Sequence, residues 1–432
     1  MASPRSLRPF AWLRTASHHE RKTLLAGGLG WLLDAFDVML YAMVLAHLIA
    51  HFGMDKGTAG LLNSLTLLSS AAGGILFGLL ADRIGRTRAL MASILVYSLA
   101  SGACGLAGSI VQLGLFRFLL GLGMGGEWTT GATLVAESWR AEHRGKALAL
   151  MQSSWAIGEG LAALLTGVML GLGTIALAPG VSLPAWRAVF LVGVLPALLV
   201  FWVRRRVDDP QIWRAHQRER APASPAARAV SSLKRLWQPE LRRNAIIATL
   251  MNTATLFGYW GLFTWIPAFL VLPASEGGRG LTITQTTMWL LAMGVGKWFG
   301  YVLFGYFADS IGRRRTYVIY LLMAALLVPL FASLSAPSAL LVVGPLVAFF
   351  GTGYFSGFGA IASELFPTEI RATALGLTYN LGRGLSAAAP FLTGALASRY
   401  GLGAAFLLTS GAFLLAAGLA ALLPETKGAE LR

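Results

Sequence analysis

Apolar residues come in twelve long runs, each bounded by charged or turn-forming residues. In the first half of the chain they fall at roughly 23–51, 59–81, 88–108, 109–137, 145–172 and 185–203. In the second half they fall at about 244–272, 283–308, 316–335, 338–363, 372–397 and 402–423. A hydrocarbon core is spanned by about 20 apolar residues in helical form. Each run therefore predicts one membrane-crossing helix, and an even number of crossings puts both termini on one side. The first run is too long for the apolar stretch of a cleavable signal, contains Asp34 and Asp37, and lacks a cleavage site. It predicts a retained first helix.

Composition agrees with a lipid solvent. Of the 432 residues 56% are hydrophobic and 12% charged, with a mean hydropathy of +0.65, whereas soluble domains carry about 25% charged residues. The formal charge of +16 would suit a nucleic-acid binder if it were gathered on one surface. It is instead spread over the loops between apolar runs. With the N-terminus in the cytoplasm, 28 Lys and Arg fall in cytoplasmic loops and tails. Only Lys56, Arg187, Arg279 and Arg399 fall opposite. That asymmetry is the positive-inside signature, so the charge reports topology and excludes a nucleic-acid partner. It predicts a multi-pass protein of the plasma (inner) membrane with cytoplasmic tails at 1–22 and 424–432. The longest polar stretch, 204–243, holds eleven basic residues with Pro222 and Pro225. It reads as a basic cytoplasmic linker between six-helix halves at 23–203 and 244–423. The single cysteine, Cys104, lies in an apolar run and reads as packing.

The two halves repeat. GLLADRIGR at 78–86 returns as GYFADSIGR at 305–313, so Asp82 aligns with Asp309 at an offset of 227. Glu137 aligns with Glu364, Glu142 with Glu369 and Arg144 with Arg371 at the same offset. Two charged loops recurring in one register imply a duplicated six-helix unit in parallel orientation.

These residues resemble the major facilitator superfamily. Its loop signature between the second and third helices is matched by Gly78, Ala81, Asp82, Arg83, Gly85 and Arg86, although Thr87 stands where a second basic residue is usual. A weaker copy has Gly305, Asp309, Gly312, Arg313 and Arg314. Arg117, Gly121 and Gly123 resemble the family's fourth-helix motif. PTEIRATALG (367–376) and PETKG (424–428) resemble signatures of its sugar and organic-acid branches. GWLLDAFDVMLYAMV in the first helix and GLGMGGEWTTGATLVAESW in the fourth resemble the proton-linked branch carrying sialate, lactate and related carboxylates. The first also resembles the D-x-F-D pattern of aromatic-acid carriers. The glycine-rich Gly-Pro signature of drug antiporters is missing from the fifth helix, since 151–168 contains no proline. The resemblance implies an all-α fold of twelve transmembrane helices in two parallel repeats. It also implies gating contacts at the loops: Asp82 at the N-terminal end of the eleventh helix, Arg86 with Glu137, and Asp309, Arg313 and Glu364 likewise. Arg144 and Arg371 belong to the same loops.

Ionisable groups inside the runs carry the candidate chemistry, because each costs at least about 2.5–3.5 kcal/mol at mid-bilayer unless paired or wetted. Asp34 and Arg383 lie about 16 Å into their helices, and Glu159 and Lys297 about 21 Å, near the bilayer middle. Asp34 and Asp37 are three apart on one helix face and cannot both ionise cheaply in a low dielectric. One of them either exchanges a proton or pairs with Arg117 or Arg383. Glu127 is a further proton-coupling candidate. Glu159 is another, or else a static partner of Lys297 or Arg383. A carboxylate substrate calls for a cation. The planar guanidinium of Arg383 suits it best, followed by Arg117 and Lys297. Tyr379 and Asn380, one turn from Arg383, and Gln152 are uncharged binding candidates. Trp31, Trp128, Trp155, Tyr259 and Trp260 either line a cavity or pack helices. His47 and His51 sense pH or pack at the interface, and two histidines alone are too few for a metal.

The sequence thus predicts a carrier rather than an enzyme: a proton-coupled symporter of a small organic anion, working by alternating access. It would need no cofactor beyond the proton gradient, and it would act as a monomer in the lipid bilayer. A proton-coupled sugar or polyol symporter is the alternative, followed by an efflux antiporter. A membrane sensor lacks a signalling domain, and a membrane enzyme lacks a nucleophile or metal constellation.

Overall fold

A computed structural model describes residues 11–178, 181–210, 234–367 and 370–427. Within these, the side chains of Asp82, Glu142, Arg144, Asp309 and Arg371 lie outside the described residues, as does Glu369 altogether. The first half comprises α1 (His18–Phe52), α2 (Lys56–Ile84), α3 (Arg86–Cys104), α4 (Ile110–Ser138), α5 (Ala141–Gly171), α6 (Ala185–Val192) and α7 (Ala197–Arg206). The second comprises α8 (Pro239–Phe263), α9 (Ile266–Val271), α10 (Ile283–Ile311), α11 (Arg313–Ser333), α12 (Pro337–Gly353), α13 (Phe355–Leu365), α14 (Arg371–Ser386), α15 (Ala389–Tyr400) and α16 (Leu402–Ala421).

Among the described residues eleven segments are long and apolar enough to cross a membrane. The remaining predicted span, 372–397, is divided into α14 and α15. Pro390 has no N–H to donate to the carbonyl four residues back, so the ladder opens at Ala387–Ala388. Three other spans also break. α6 gives way to α7 before Pro196, α8 to α9 before Pro267, and α12 to α13 at Tyr354. Large apolar side chains cover the outside of the bundle, among them Leu99, Val168, Leu326 and Leu414. Such a surface suits lipid, where backbone polar groups are satisfied inside each helix.

The first helix starts earlier than the apolar pattern suggests. Ser17 and Glu20 form a reciprocal capping box, which satisfies the first backbone donors and extends α1 beyond its apolar face. Trp12 packs edge-on against Trp139 at 5.2 Å, and Arg140 pairs with Glu20 at 3.0 Å. One element was not anticipated: an antiparallel hairpin, β1 (Thr174–Ala178) with β2 (Val181–Pro184), between α5 and α6.

The 227-residue repeat is present in backbone geometry. Gly85 has φ of 106° and Gly312 of 112°, each ending one helix and starting the next in a conformation that favours glycine. The loops α2–α3, α4–α5 and α10–α11 share one end of the bundle with the segments before α1 and after α16. This is called the basic end. At the opposite end the halves close on each other through α2 against α15. A Cβ on Gly60 would collide with the Pro390 carbonyl, and one on Gly394 with that of Lys56. Asn63 donates to Thr264 (2.9 Å), Phe391 N–H to Ser64 (3.2 Å), and Lys56 to the Glu276 carbonyl (3.0 Å). At mid-depth Trp155 donates to Tyr259 (3.0 Å), a further bond between the halves.

Candidate functional site

At mid-depth a partly open cavity with about 350 Å³ of empty space lies between the halves. The first half contributes Trp31 (α1), Gln152 and Trp155 (α5). The second contributes Tyr259 and Trp260 (α8), Tyr301 (α10), and Tyr379 and Arg383 (α14). These positions follow helical spacing: Gln152 with Trp155, and Tyr379 with Arg383, each fall on one face. Trp31 and Trp155 lie 4.6 Å apart across α1 and α5. The wall is therefore aromatic with one charge. Arg383 is 2% exposed, and among the described residues its guanidinium makes no hydrogen bond or ion pair.

Asp34 lies within Coulombic reach of Arg383 without an ion pair inside 4 Å. It is fully buried, and neither carboxylate oxygen has a partner. Glu127, also fully buried, has both oxygens unpartnered and lies within reach of Asp34. Room for it exists because α1 carries Gly30 there: a Cβ would collide with Glu127 Oε1. Asp37 differs, since its Oδ1 accepts from Ser101 Oγ at 3.2 Å. An isolated buried carboxylate is costly as an anion, and Asp34 and Glu127 have no hydrogen-bond partner to offset that cost.

Glu159 is satisfied. Its Oε2 takes Lys297 Nζ at 2.5 Å, and its Oε1 accepts from Trp155 Nε1 (3.1 Å) and Tyr259 Oη (3.0 Å). Lys297 also lies over the Phe263 ring, 3.9 Å from its centroid. This pair joins α5 of one half to α10 of the other. Three of the predicted binding residues thus stand away from the cavity wall. Lys297 is engaged with Glu159. Arg117 is enclosed between Asn63 Oδ1 (2.5 Å) and the Tyr41 ring (4.2 Å). Asn380 turns its amide to the Gly376 carbonyl (3.0 Å) and sits beside Gly74 of α2.

Toward the basic end aromatic rings of the two halves meet. Trp128 of α4 stacks on Tyr379 of α14 at 4.7 Å and 20°, with Phe358 5.8 Å from the same ring. Further out, Arg86 grips Glu137 with two bonds, 3.1 and 2.9 Å, and Arg313 meets Glu364 at 3.6 Å. Both pairs lie within a half. Each half also has an acid after its last helix that caps the helix following its glycine turn. Asp209 accepts from Thr87 N–H (2.8 Å), and Glu425 from Arg313 N–H (2.8 Å). Burial pushes the Glu425 carboxyl up, but the backbone N–H groups of Lys427, Arg314, Arg313 and Arg315 outweigh it and hold it below the usual carboxylate range. Sequence reasoning missed Asp209, Tyr301 and Phe355. Tyr301 had a signal, since it lies one turn from Lys297 on the same face.

The sequence pattern of the Major Facilitator Superfamily matches residues 28–277 and 269–431, and the chain belongs to that family of membrane transporters. It is 33% identical to the "Probable 4-methylmuconolactone transporter" of Cupriavidus pinatubonensis, covering 97% of this chain and 94% of that one. It is 32% identical to the cis,cis-muconate transport protein of Acinetobacter baylyi, covering 96% of each. Among solved structures the inward-open xylose transporter XylE from E. coli superposes with a TM-score of 0.74 at 20% identity, covering 95% of this chain and 98% of that one. That likeness concerns the fold.

Proposed function

We propose that the protein is a proton-coupled symporter of a small, flat organic acid anion, working by alternating access in the plasma (inner) membrane. The basic end, which carries the segments before α1 and after α16, faces the cytoplasm, and the carrier acts as a monomer. The observation that carries this reading is Arg383: a guanidinium without a direct partner in an aromatic cavity, with the unpartnered Asp34 carboxyl within Coulombic reach. Arginine presents a planar fork that matches a carboxylate. The surrounding rings offer flat faces to a conjugated or aromatic body. Relatives named for muconate and methylmuconolactone support acids of that shape.

Coupling follows from competition for one cation. With Asp34 protonated, Arg383 is free to hold the substrate carboxylate. When Asp34 loses its proton, its charge competes for Arg383 and weakens the substrate's hold. Proton and anion therefore bind together and leave together, as thermodynamic linkage requires. Glu127 extends the proton path from Asp34 toward the basic end. The Trp128–Tyr379 layer is the barrier that parts on that side, and the Arg86–Glu137 and Arg313–Glu364 pairs form the gate around it, to which Asp82, Arg144, Asp309 and Arg371, near the ends of their helices, also belong.

Uptake of labelled cis,cis-muconate, benzoate, sialate and xylose into proteoliposomes, with and without an inward proton gradient, tests the reading. Gradient-driven accumulation of the planar acids is expected. Preference for xylose would move the protein to the sugar alternative, and uptake indifferent to the gradient would remove the proton.

A further inference from the structure

A second cavity of about 380 Å³ lies between the halves toward the opposite end. Three helices of the central cavity line it too, α1 with His47, α5 with Ala163 and Thr166, and α10 with Thr286 and Leu290, and α9 adds Pro267. Three polar atoms in its wall have no hydrogen-bond partner: His47 Nδ1, Thr166 Oγ1 and Thr286 Oγ1. Thr166 is 3% exposed and Thr286 5%, so water does not answer for them from the surface. A buried hydroxyl without a partner costs about 1–3 kcal/mol, and a site where three converge is built to meet a polar group. No charged side chain is among its lining residues, so a carboxyl group there is held by hydrogen bonds rather than by an ion pair.

The two cavities lie on one line. On α5, Trp155 of the central wall is followed at one-turn steps by Glu159 and then Ala163 of the second wall. On α10, running the other way, Leu290 of the second wall is followed by Lys297 and then by Tyr301 of the central wall. The Glu159–Lys297 ion pair therefore stands between them.

We propose that the second cavity is an outer subsite for the transported acid, in which His47, Thr166 and Thr286 bind its carboxyl group and the apolar wall its body. The Glu159–Lys297 pair separates it from the central site. This rests on the organic-anion reading above.

Site-directed thiol protection tests it. In a Cys104→Ser background, Ala163→Cys reports the outer subsite and Gln152→Cys the central site. Each is reacted in proteoliposomes with a methanethiosulfonate reagent, with benzoate as the probe. Benzoate is expected to slow both reactions severalfold. With Arg383→Met added, protection of Gln152→Cys should vanish and that of Ala163→Cys remain. Adding Thr166→Val and Thr286→Val should do the reverse. The proposal is overturned if Ala163→Cys is unprotected while Gln152→Cys is protected, or if both lose protection with Arg383→Met. Protection absent at both positions in the parent, with no benzoate uptake, would sink the anion reading itself.

Discussion

Asp34 and Glu159 stand at similar depth on helices α1 and α5, which pack together, yet their surroundings are opposite. Glu159 receives an ammonium, an indole N–H and a phenol O–H. Asp34 receives none, and its only strong cation, Arg383, stays outside ion-pair range. A fully satisfied carboxylate has little reason to change protonation, and its removal leaves a stranded cation. An unsatisfied one is poised to take or lose a proton whenever its surroundings change. The same residue class therefore ties the halves together in one place and, in the proposed function, exchanges a proton in the other.

The largest expected effect separates these roles directly. Across about one pH unit, one coupled proton supports about tenfold accumulation of a monovalent acid. Asp34→Asn should reduce that to about unity while leaving exchange of labelled for unlabelled acid intact. Glu159→Gln should keep part of the gradient. If Asp34→Asn still accumulates substrate, the proton is carried elsewhere.

Stability should rank the sites in the reverse order. Lys297→Met leaves Glu159 buried without its cation and should cost about 3–5 kcal/mol, read as a lower apparent Tm in detergent. The double change Glu159→Gln with Lys297→Met should recover most of it, and Asp34→Asn should leave Tm near the parent value. Equal losses in the single and double variants would show that the strap carries no stability.

A smaller effect concerns the shared cation. Arg383→Lys keeps the charge but loses the planar fork, so KM for a planar acid should rise about tenfold with little change in Tm. An unchanged KM would mean that the carboxylate docks elsewhere.

The smallest effect comes from an acid satisfied outside the bilayer. Glu425, held below its ordinary range by backbone N–H groups, contributes stability that is present above its unfolded value near pH 4.5. That contribution is lost as pH falls through its lower folded value. Because the group is exposed, Glu425→Gln should cost only about 0.5 kcal/mol at pH 7. The difference in Tm from the parent should close as pH falls below about 4.5. A difference that does not shrink at all as pH is lowered below 4.5 would assign the effect to something other than the ionised cap.

Much of this was legible in the chain. Twelve apolar runs, the basic loops and the 227-residue register carry the duplicated fold, because lipid leaves few ways to satisfy a backbone and a run length reports a crossing. The pairing of Arg86 with Glu137 followed from the repeat and the family resemblance. Arg383, named for its depth, Tyr379, named for lying one turn from it, and Gln152, named as a polar residue within a span, all reach the cavity. Arg117 and Lys297 had the same sequence credentials and do not, since depth along a helix says nothing about which neighbour its face meets. Asn380 differs from Tyr379 by one position, about 100° around the helix, and so faces α2 instead.

The sequence by itself determined the number of crossings, the parallel duplication, the side that carries the charge, and the shortlist of buried ionisable groups. Each is local or periodic information, fixed by hydropathy and spacing along one strand of chain. Only the tertiary structure decided which acids are partnered. Glu159 finds Lys297 138 residues away across the two halves, while the carboxylate oxygens of Asp34 and Glu127 find no hydrogen-bond partner among the described residues. A partner's distance in space depends on how α1, α5, α10 and α14 are rotated against one another. That rotation is set by close contacts such as Gly60 on Pro390 and Gly30 beside Glu127, which no single helix can encode.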